Sequence, residues 1–67
     1  MNKALLRSIM LLNGDTYKSL AVYLGITEQS VNAKINENKT EFKQSEIAMI
    51  RDRYNLSADQ VEAIFFV

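Results

Sequence analysis

The chain has 67 residues, 48% of them apolar, and its eight Lys and Arg balance eight Asp and Glu, so the formal net charge is zero. We expect one domain spanning residues 1–67, near the lower size at which a single core is sufficient. Cysteine and histidine do not occur, which excludes disulfides, thiolate metal sites and the commonest general base. We therefore expect an intracellular protein that is not an enzyme and carries no cofactor. No apolar run approaches the roughly 20 residues of a membrane span.

Apolar residues recur at helical spacing along the chain, and no strand-like alternation persists. The pattern predicts an all-α fold with helices at about 2–12, 17–24, 28–36, 44–54 and 58–65. In the first helix, Leu5, Ile9 and Leu12 share the face that we expect to be buried, with Leu6 and Met10 beside it. Gly14 suits the turn that ends this helix.

The second and third helices are predicted to follow each other through a very short turn. Thr16 and Thr27 precede them as N-caps, and Gly25 ends the second helix. The residues expected to face the core are Leu20, Ala21 and Leu24 in the second helix and Val31 and Ile35 in the third.

The signals for the last two helices are less uniform. Asn38, in the polar connection before helix four, is expected to accept a left-handed conformation. Lys43 is a weak N-cap for helix four, but Glu46 stands at the capping-box position, and Ser57 with Gln60 matches a full box before helix five. The expected inward residues are Ile47, Ile50, Tyr54, Val61, Ile64 and Phe65.

The segment from Ala21 to Val31 meets the geometric needs of a helix-turn-helix. Ala21 is small enough for two helices to approach, Gly25 accepts a positive φ, and Ile26 places an apolar side chain after the turn. Val31 anchors the second helix of the motif on the first. The alternative is an ordinary corner in a helical bundle that binds nothing.

The stretch LAVYLGITEQSVNAKI resembles the helix-turn-helix of the Cro and lambda-repressor-like family of small phage and bacterial DNA-binding domains. The second half, EFKQSEIAMIRDRYNLSADQVEAIFF, is similar to the later helices of small prophage-encoded regulators. The resemblance covers nearly the whole chain and implies a compact five-helix lambda-repressor-like domain in the cytoplasm of a bacterial host. Such a domain docks its third helix in the major groove of operator DNA, usually in pairs across a two-fold site.

The resemblance also implies contact residues. Those facing the bases would be Glu28, Gln29, Asn32 and Ala33, with Gln29 and Asn32 able to bond adenine and Glu28 able to accept from cytosine. Those facing the phosphate backbone would be Tyr17, Lys18, Asn36, Asn38, Lys39, Thr40 and Lys43. The family often has an apolar residue where this chain has Lys34, and Ile35 is expected to take over its anchoring role.

Two functions stay open on the sequence. The first is a transcriptional regulator of a phage-type switch that binds double-stranded operator DNA. The second is an antirepressor of the Mor type, which would bind the DNA-binding domain of a partner repressor. The neutral charge suits this second function, because Glu28, Glu37 and Glu41 would complement a basic protein surface. The apolar tail, Phe65, Phe66 and Val67, is a candidate surface for a homodimer.

Overall fold

The helices lie where the sequence predicts them. The computed structural model describes residues 1–66, and within that range the chain forms five helices and no strand. They are α1 (Lys3–Leu12), α2 (Tyr17–Leu24), α3 (Glu28–Ile35), α4 (Gln44–Tyr54) and α5 (Ala58–Phe65). Each end is within one residue of its predicted position, so the expectation of an all-α, five-helix chain is confirmed.

Side-chain caps explain why the helices begin where they do. The hydroxyls of Thr16, Thr27 and Ser57 each accept the backbone N–H of the third residue of the following helix, at 3.0–3.1 Å. At α4 the Glu46 carboxylate accepts the Lys43 backbone N–H at 2.8 Å, so the acid at the third position caps a helix whose preceding residue cannot. These four caps are confirmed as predicted.

Four of the five helices in residues 1–66 end in the same backbone pattern. A residue with positive φ follows the helix, and its N–H and that of the next residue bond back into the last turn. These residues are Gly14, Gly25, Glu37 and Asn55. The expectation for Asn38 was wrong, because its neighbours Glu37 and Lys39 take the positive φ values, 54° and 61°. Asn38 instead donates its N–H to the Ala33 carbonyl at 2.9 Å, which makes Glu37 the turning residue.

Every helix contributes to one core. The fully buried side chains are Leu6, Leu20, Val31, Ile35, Ile50 and Ile64. Phe42 and Leu56, which lie in the connections on either side of α4, are also buried, although neither was among the residues expected in the core. The connections therefore supply part of the hydrophobic stabilisation.

The inward face of α1 differs from the prediction. Leu6 and Met10 are buried, whereas Leu12 is 85% exposed. A helix turns about 100° per residue, so Leu12 lies about 200° from Met10, on the opposite side. The expectation that Leu12 faces the core was wrong, whereas Leu5 and Ile9 of the same predicted face are partly buried and pack against the core beside Leu6 and Met10.

α3 is supported by α2, and the remaining helices pack around α5. α2 and α3 pack directly on each other, and α5 packs against both α1 and α4. The Asn2 N–H donates to the Ile64 carbonyl at 2.7 Å, which ties the start of α1 to α5. Among the residues described, no helix is long and apolar enough to cross a bilayer.

We expect Lys39→Gly to raise the free energy of unfolding by about 0.5 to 1 kcal/mol, because glycine adopts a positive φ without the steric penalty that lysine incurs. Lys39 is exposed, so little packing is lost. Urea unfolding monitored by circular dichroism measures the change. Lys39→Ala is the matched control, since it removes the same side chain but keeps the penalty, and an equal gain in both variants would contradict the explanation.

Candidate functional site

The turn between α2 and α3 brings the two helices together as the sequence predicts. Ala21 is 3% exposed, and its carbonyl accepts the Ile26 N–H at 3.1 Å. Gly25 has φ 73°, the left-handed conformation that the sequence predicts there. Val31 and Ile35 are fully buried, so α3 is anchored along one side and presents the other to solvent.

The solvent side of α3 carries the residues implied to face bases. Glu28, Gln29 and Asn32 are exposed, and Ala33 is half-buried. The Thr27 hydroxyl caps α3 by accepting the Ser30 N–H, and it also donates to Ser30 Oγ at 3.0 Å. The first turn of α3 thus presents one carboxylate and one amide on a rigid support.

A chain of side-chain hydrogen bonds runs along this face. Lys3 Nζ donates to Asn36 Oδ1 at 3.3 Å, and Asn36 Nδ2 donates both to the Asn32 carbonyl at 2.9 Å and to Asn32 Oδ1 at 2.8 Å. Sequence reasoning did not include Lys3, which is 33 residues from Asn36 and reaches it only because α1 starts beside the end of α3. These hydrogen bonds link Asn32, which the resemblance implies to face bases, with Asn36, which it implies to face the phosphate backbone.

The residues implied to contact phosphates lie at the ends of α2 and α3 and just before α4. Lys18, Asn38, Lys39, Thr40 and Lys43 are exposed. Tyr17 is half-buried and packs against the core. Asn36 is half-buried and is hydrogen-bonded to Lys3 and Asn32. The exposed cations alternate with Glu37 and Glu41, so no continuous basic surface follows α3.

Lys34 forms a buried ion pair that the sequence did not reveal. Its Nζ lies 2.8 and 2.9 Å from the two carboxylate oxygens of Glu46, and both side chains are about nine-tenths buried. Burial raises the pKa of Glu46, but the bonds from Lys34 and from the Lys43 N–H outweigh it and hold that pKa below its usual value. Since Lys34 follows Val31 by three residues, it faces inward together with Ile35 rather than being replaced by it.

A second polar cluster joins the turn before α2 to α4. The Asp15 carboxylate accepts two bonds of 2.7 Å from Arg53, one of 2.6 Å from the Tyr54 hydroxyl and one of 2.7 Å from Ser19. The hydrogen bonds from Arg53 hold the pKa of Asp15 well below its usual value, despite burial. Burial and the hydrogen bond to Asp15 raise the pKa of Tyr54. The Arg53 guanidinium also stacks 4.7 Å from the centre of the Tyr23 ring on α2.

These pairs change the charge that a ligand would meet. Lys34 and Arg53 are bound to carboxylates of the same chain, and Arg51 lies 3.3 Å from Asp52. The lysines placed at the ends of α2 and α3 and beside them are Lys3, Lys18, Lys39 and Lys43, and the carboxylates of the same region are Glu28, Glu37 and Glu41. The Glu37 carboxylate also lies 3.2 Å from the amino group of Met1. The face around α3 therefore carries only a small excess of positive charge.

The tail offers less apolar surface than its composition suggests. Phe65 is half-buried, with its ring edge-on to Phe42 at 6.1 Å between ring centres. Phe66 is 60% exposed. Val67 lies outside the described residues. Of Phe65 and Phe66, the two residues of this tail that the structure describes, Phe66 lies on the surface.

No protein-family model matches the chain, and neither a curated protein nor a solved structure matches it significantly. The assignment of a function therefore depends on the contacts of α2, α3 and their neighbours.

Proposed function

We propose that the chain is a lambda-repressor-like, helix-turn-helix DNA-binding domain that regulates transcription in a phage-type switch, with α3 as the recognition helix. The observation that carries the proposal is the pairing of α2 and α3 through Gly25. It buries Val31 and Ile35 and leaves Gln29 and Asn32 exposed. This arrangement supplies what a recognition helix needs, a fixed orientation and polar side chains on the outer face.

The chemistry of that face suits base edges. The major groove is wide enough for an α-helix, and amide side chains can bond the donors and acceptors that the bases present there. Lys18, Lys39 and Lys43 lie outside α3 and are exposed, where they would contact phosphates and fix the register of the helix. α3 is held from behind by the Lys34–Glu46 pair, so it enters the groove as a rigid element.

Because few cations are available, the binding should depend only moderately on salt. Three phosphate contacts for each domain give a slope of about −2.7 in a plot of log affinity against log salt, and two domains on one site give about twice that. Fluorescence anisotropy with duplexes from the DNA flanking the gene, at several salt concentrations, measures the slope. A protein that prefers none of these duplexes over random competitor at low salt would overturn the proposal.

We expect Gln29→Ala to weaken binding to the preferred duplex about tenfold, because one amide contact with a base edge is lost. The loss should be confined to the preferred site, so binding to random DNA should change little. Gln44→Ala is the matched control, since Gln44 is an exposed glutamine in the first turn of α4 rather than α3. Equal weakening by both substitutions would contradict the role of Gln29.

A second candidate is favoured by the charge of the site. With Lys34 and Arg53 paired inside the chain, the three carboxylates of Glu28, Glu37 and Glu41 offset most of the charge of the four surrounding lysines. Such a face complements the basic DNA-binding surface of a repressor, as an antirepressor requires. Isothermal titration with a repressor encoded beside this chain distinguishes the two. One-to-one binding to that repressor, with no binding to DNA, would replace the first proposal by the second.

A further inference from the structure

The amide groups on α3 have their orientations fixed by the groups that they bond. The Lys3 ammonium only donates and the Asn32 backbone carbonyl only accepts, so Asn36 must turn Oδ1 to the first and Nδ2 to the second. Asn36 Nδ2 also lies 2.8 Å from the Asn32 side chain, which must therefore turn its oxygen toward Asn36. Lys3, Asn36 and Asn32 thus form a series of hydrogen bonds, the polar chain, in which each donor and each acceptor is fixed and every bond is donated toward Asn32 or received from Lys3.

This direction determines what Asn32 offers to a ligand. Its Oδ1 already accepts a bond within the protein, and its exposed side chain still has the two N–H donors of Nδ2. Guanine presents two neighbouring acceptors, N7 and O6, in the major groove. Adenine presents an acceptor beside a donor, and its amino group would face the amino group of Asn32.

We propose that Asn32, oriented by Asn36 and Lys3, recognises guanine rather than adenine at one position of the DNA site. The inference rests on the proposed DNA-binding function and revises the adenine contact that the sequence suggested for Asn32. Asn36 is a positioning residue here, because it acts on the base only through Asn32. Lys3 has the same status one step further away.

The test is a substitution that reverses the polar chain. In Asn36→Asp the residue accepts from Lys3 and from Asn32 but has no N–H to donate. Asn32 would then turn its Nδ2 inward and its oxygen outward, toward a base with an exocyclic amino group. We expect the preference at that position to change from guanine to adenine or cytosine, by about tenfold, with the other positions of the site unchanged.

Selection of bound duplexes from a library with randomised base pairs measures this directly. Asn55→Asp is the matched control, since it makes the same change at an exposed asparagine that follows α4 and belongs to neither set of contact residues. Lys3→Met is a second variant, which removes the ammonium and should weaken the guanine preference without reversing it. Circular dichroism confirms that each variant is folded.

The possible results distinguish a failure of the Asn32 inference from a failure of the proposed DNA-binding function. A guanine preference that reverses in Asn36→Asp and persists in Asn55→Asp supports the inference. A selected site whose base preferences are the same in the wild type and in Asn36→Asp overturns it, while the proposed function stands. If the wild type selects no sequence, the DNA-binding function fails and the inference fails with it.

Discussion

We expect Asp15→Asn to lower the free energy of unfolding by about 2 to 3 kcal/mol, because the Asp15 carboxylate is 6% exposed and accepts hydrogen bonds from Arg53, Tyr54 and Ser19. A domain of 67 residues has a total of roughly 3 to 10 kcal/mol. The melting temperature should therefore fall by roughly 15 °C. The substitution is almost isosteric, so the effect comes from charge and hydrogen bonding rather than from volume.

The geometry explains why an amide cannot replace this carboxylate. Arg53 donates to both oxygens of Asp15, so whichever way an asparagine is oriented, its NH₂ group meets an N–H of Arg53. A guanidinium cannot accept a hydrogen bond. The Asp15 side chain is only 6% exposed, so water cannot compensate fully for the lost contact.

The pH dependence gives an independent measurement of the same pair. The pKa of Asp15 is lower in the folded chain than the value of about 3.9 expected when unfolded. Its contribution to stability is therefore complete above that value and is lost as the pH falls through the lower folded-state pKa. Between about pH 4 and pH 2, the stability of Asp15→Asn should fall less steeply than that of the wild type.

Thermal unfolding followed by circular dichroism, from neutral to acidic pH, tests both statements. Asp52→Asn is the matched control, since the Asp52 side chain is 67% exposed and its partner Arg51 is 52% exposed. Exposed pairs contribute little, so we expect a change within about 0.5 kcal/mol there. Comparable losses in the two variants would show that the Asp15 cluster does not stabilise the fold.

The second large effect is expected for Lys34→Met, which should cost about 3 kcal/mol by leaving the Glu46 carboxylate buried without its cation. The methionine fills the space of the lysine stem, so the loss of packing is small. Since Lys34 lies on α3 and Glu46 on α4, the loss should also weaken whatever binding depends on the position of α3.

The double variant Lys34→Met with Glu46→Gln separates charge from structure. The glutamine can still accept the Lys43 N–H that caps α4, and no charge remains buried. We expect the double variant to recover most of the stability that Lys34→Met loses, because replacing both partners of a buried pair is often close to neutral. Urea unfolding of both single variants and the double variant gives the coupling energy.

The stability of the single variant Lys34→Met should also depend on pH with the opposite sign from that of the wild type. Without Lys34, burial is the dominant effect on Glu46, so its pKa should rise above the unfolded value. The folded state then binds the proton more tightly, and stability should increase as the pH falls from about 7 to about 5. Stability that does not change or decreases in this range would contradict the assignment. Lys18→Met is the control, since Lys18 is an exposed lysine on α2 and is not among the groups that shift the pKa of Glu46.

The local part of the structure could be predicted from sequence because its causes are local. Thr16, Thr27 and Ser57 cap helices by bonding the backbone N–H three residues ahead. Gly25 turns the chain through its own positive φ. The exposure of Glu28, Gln29 and Asn32 follows from the burial of Val31 and Ile35 on the same short helix. The outline of the candidate site was therefore predictable.

The polar contacts that hold the site in place were not predictable in this way. Asp15 meets Arg53 across 38 residues, and Lys3 meets Asn36 across 33, so both depend on how the helices pack. The Lys34–Glu46 pair had a sequence signal, since a lysine three residues after Val31 faces inward and requires an acidic partner. Several carboxylates compete for that role, and the sequence alone does not select Glu46 among them.

The four similar helix endings have a consequence for how the chain folds. Each is closed by hydrogen bonds that span at most six residues, so the path from one helix to the next requires little loop-closure entropy. Proteins dominated by such short-range contacts reach the folded state quickly. The pair of Asp15 and Arg53 joins residues 38 apart in sequence, so we expect it to form late and to slow unfolding without speeding folding. In stopped-flow experiments, the loss in Asp15→Asn is therefore expected in the unfolding rate, and the lifetime of the native state is what this cluster controls.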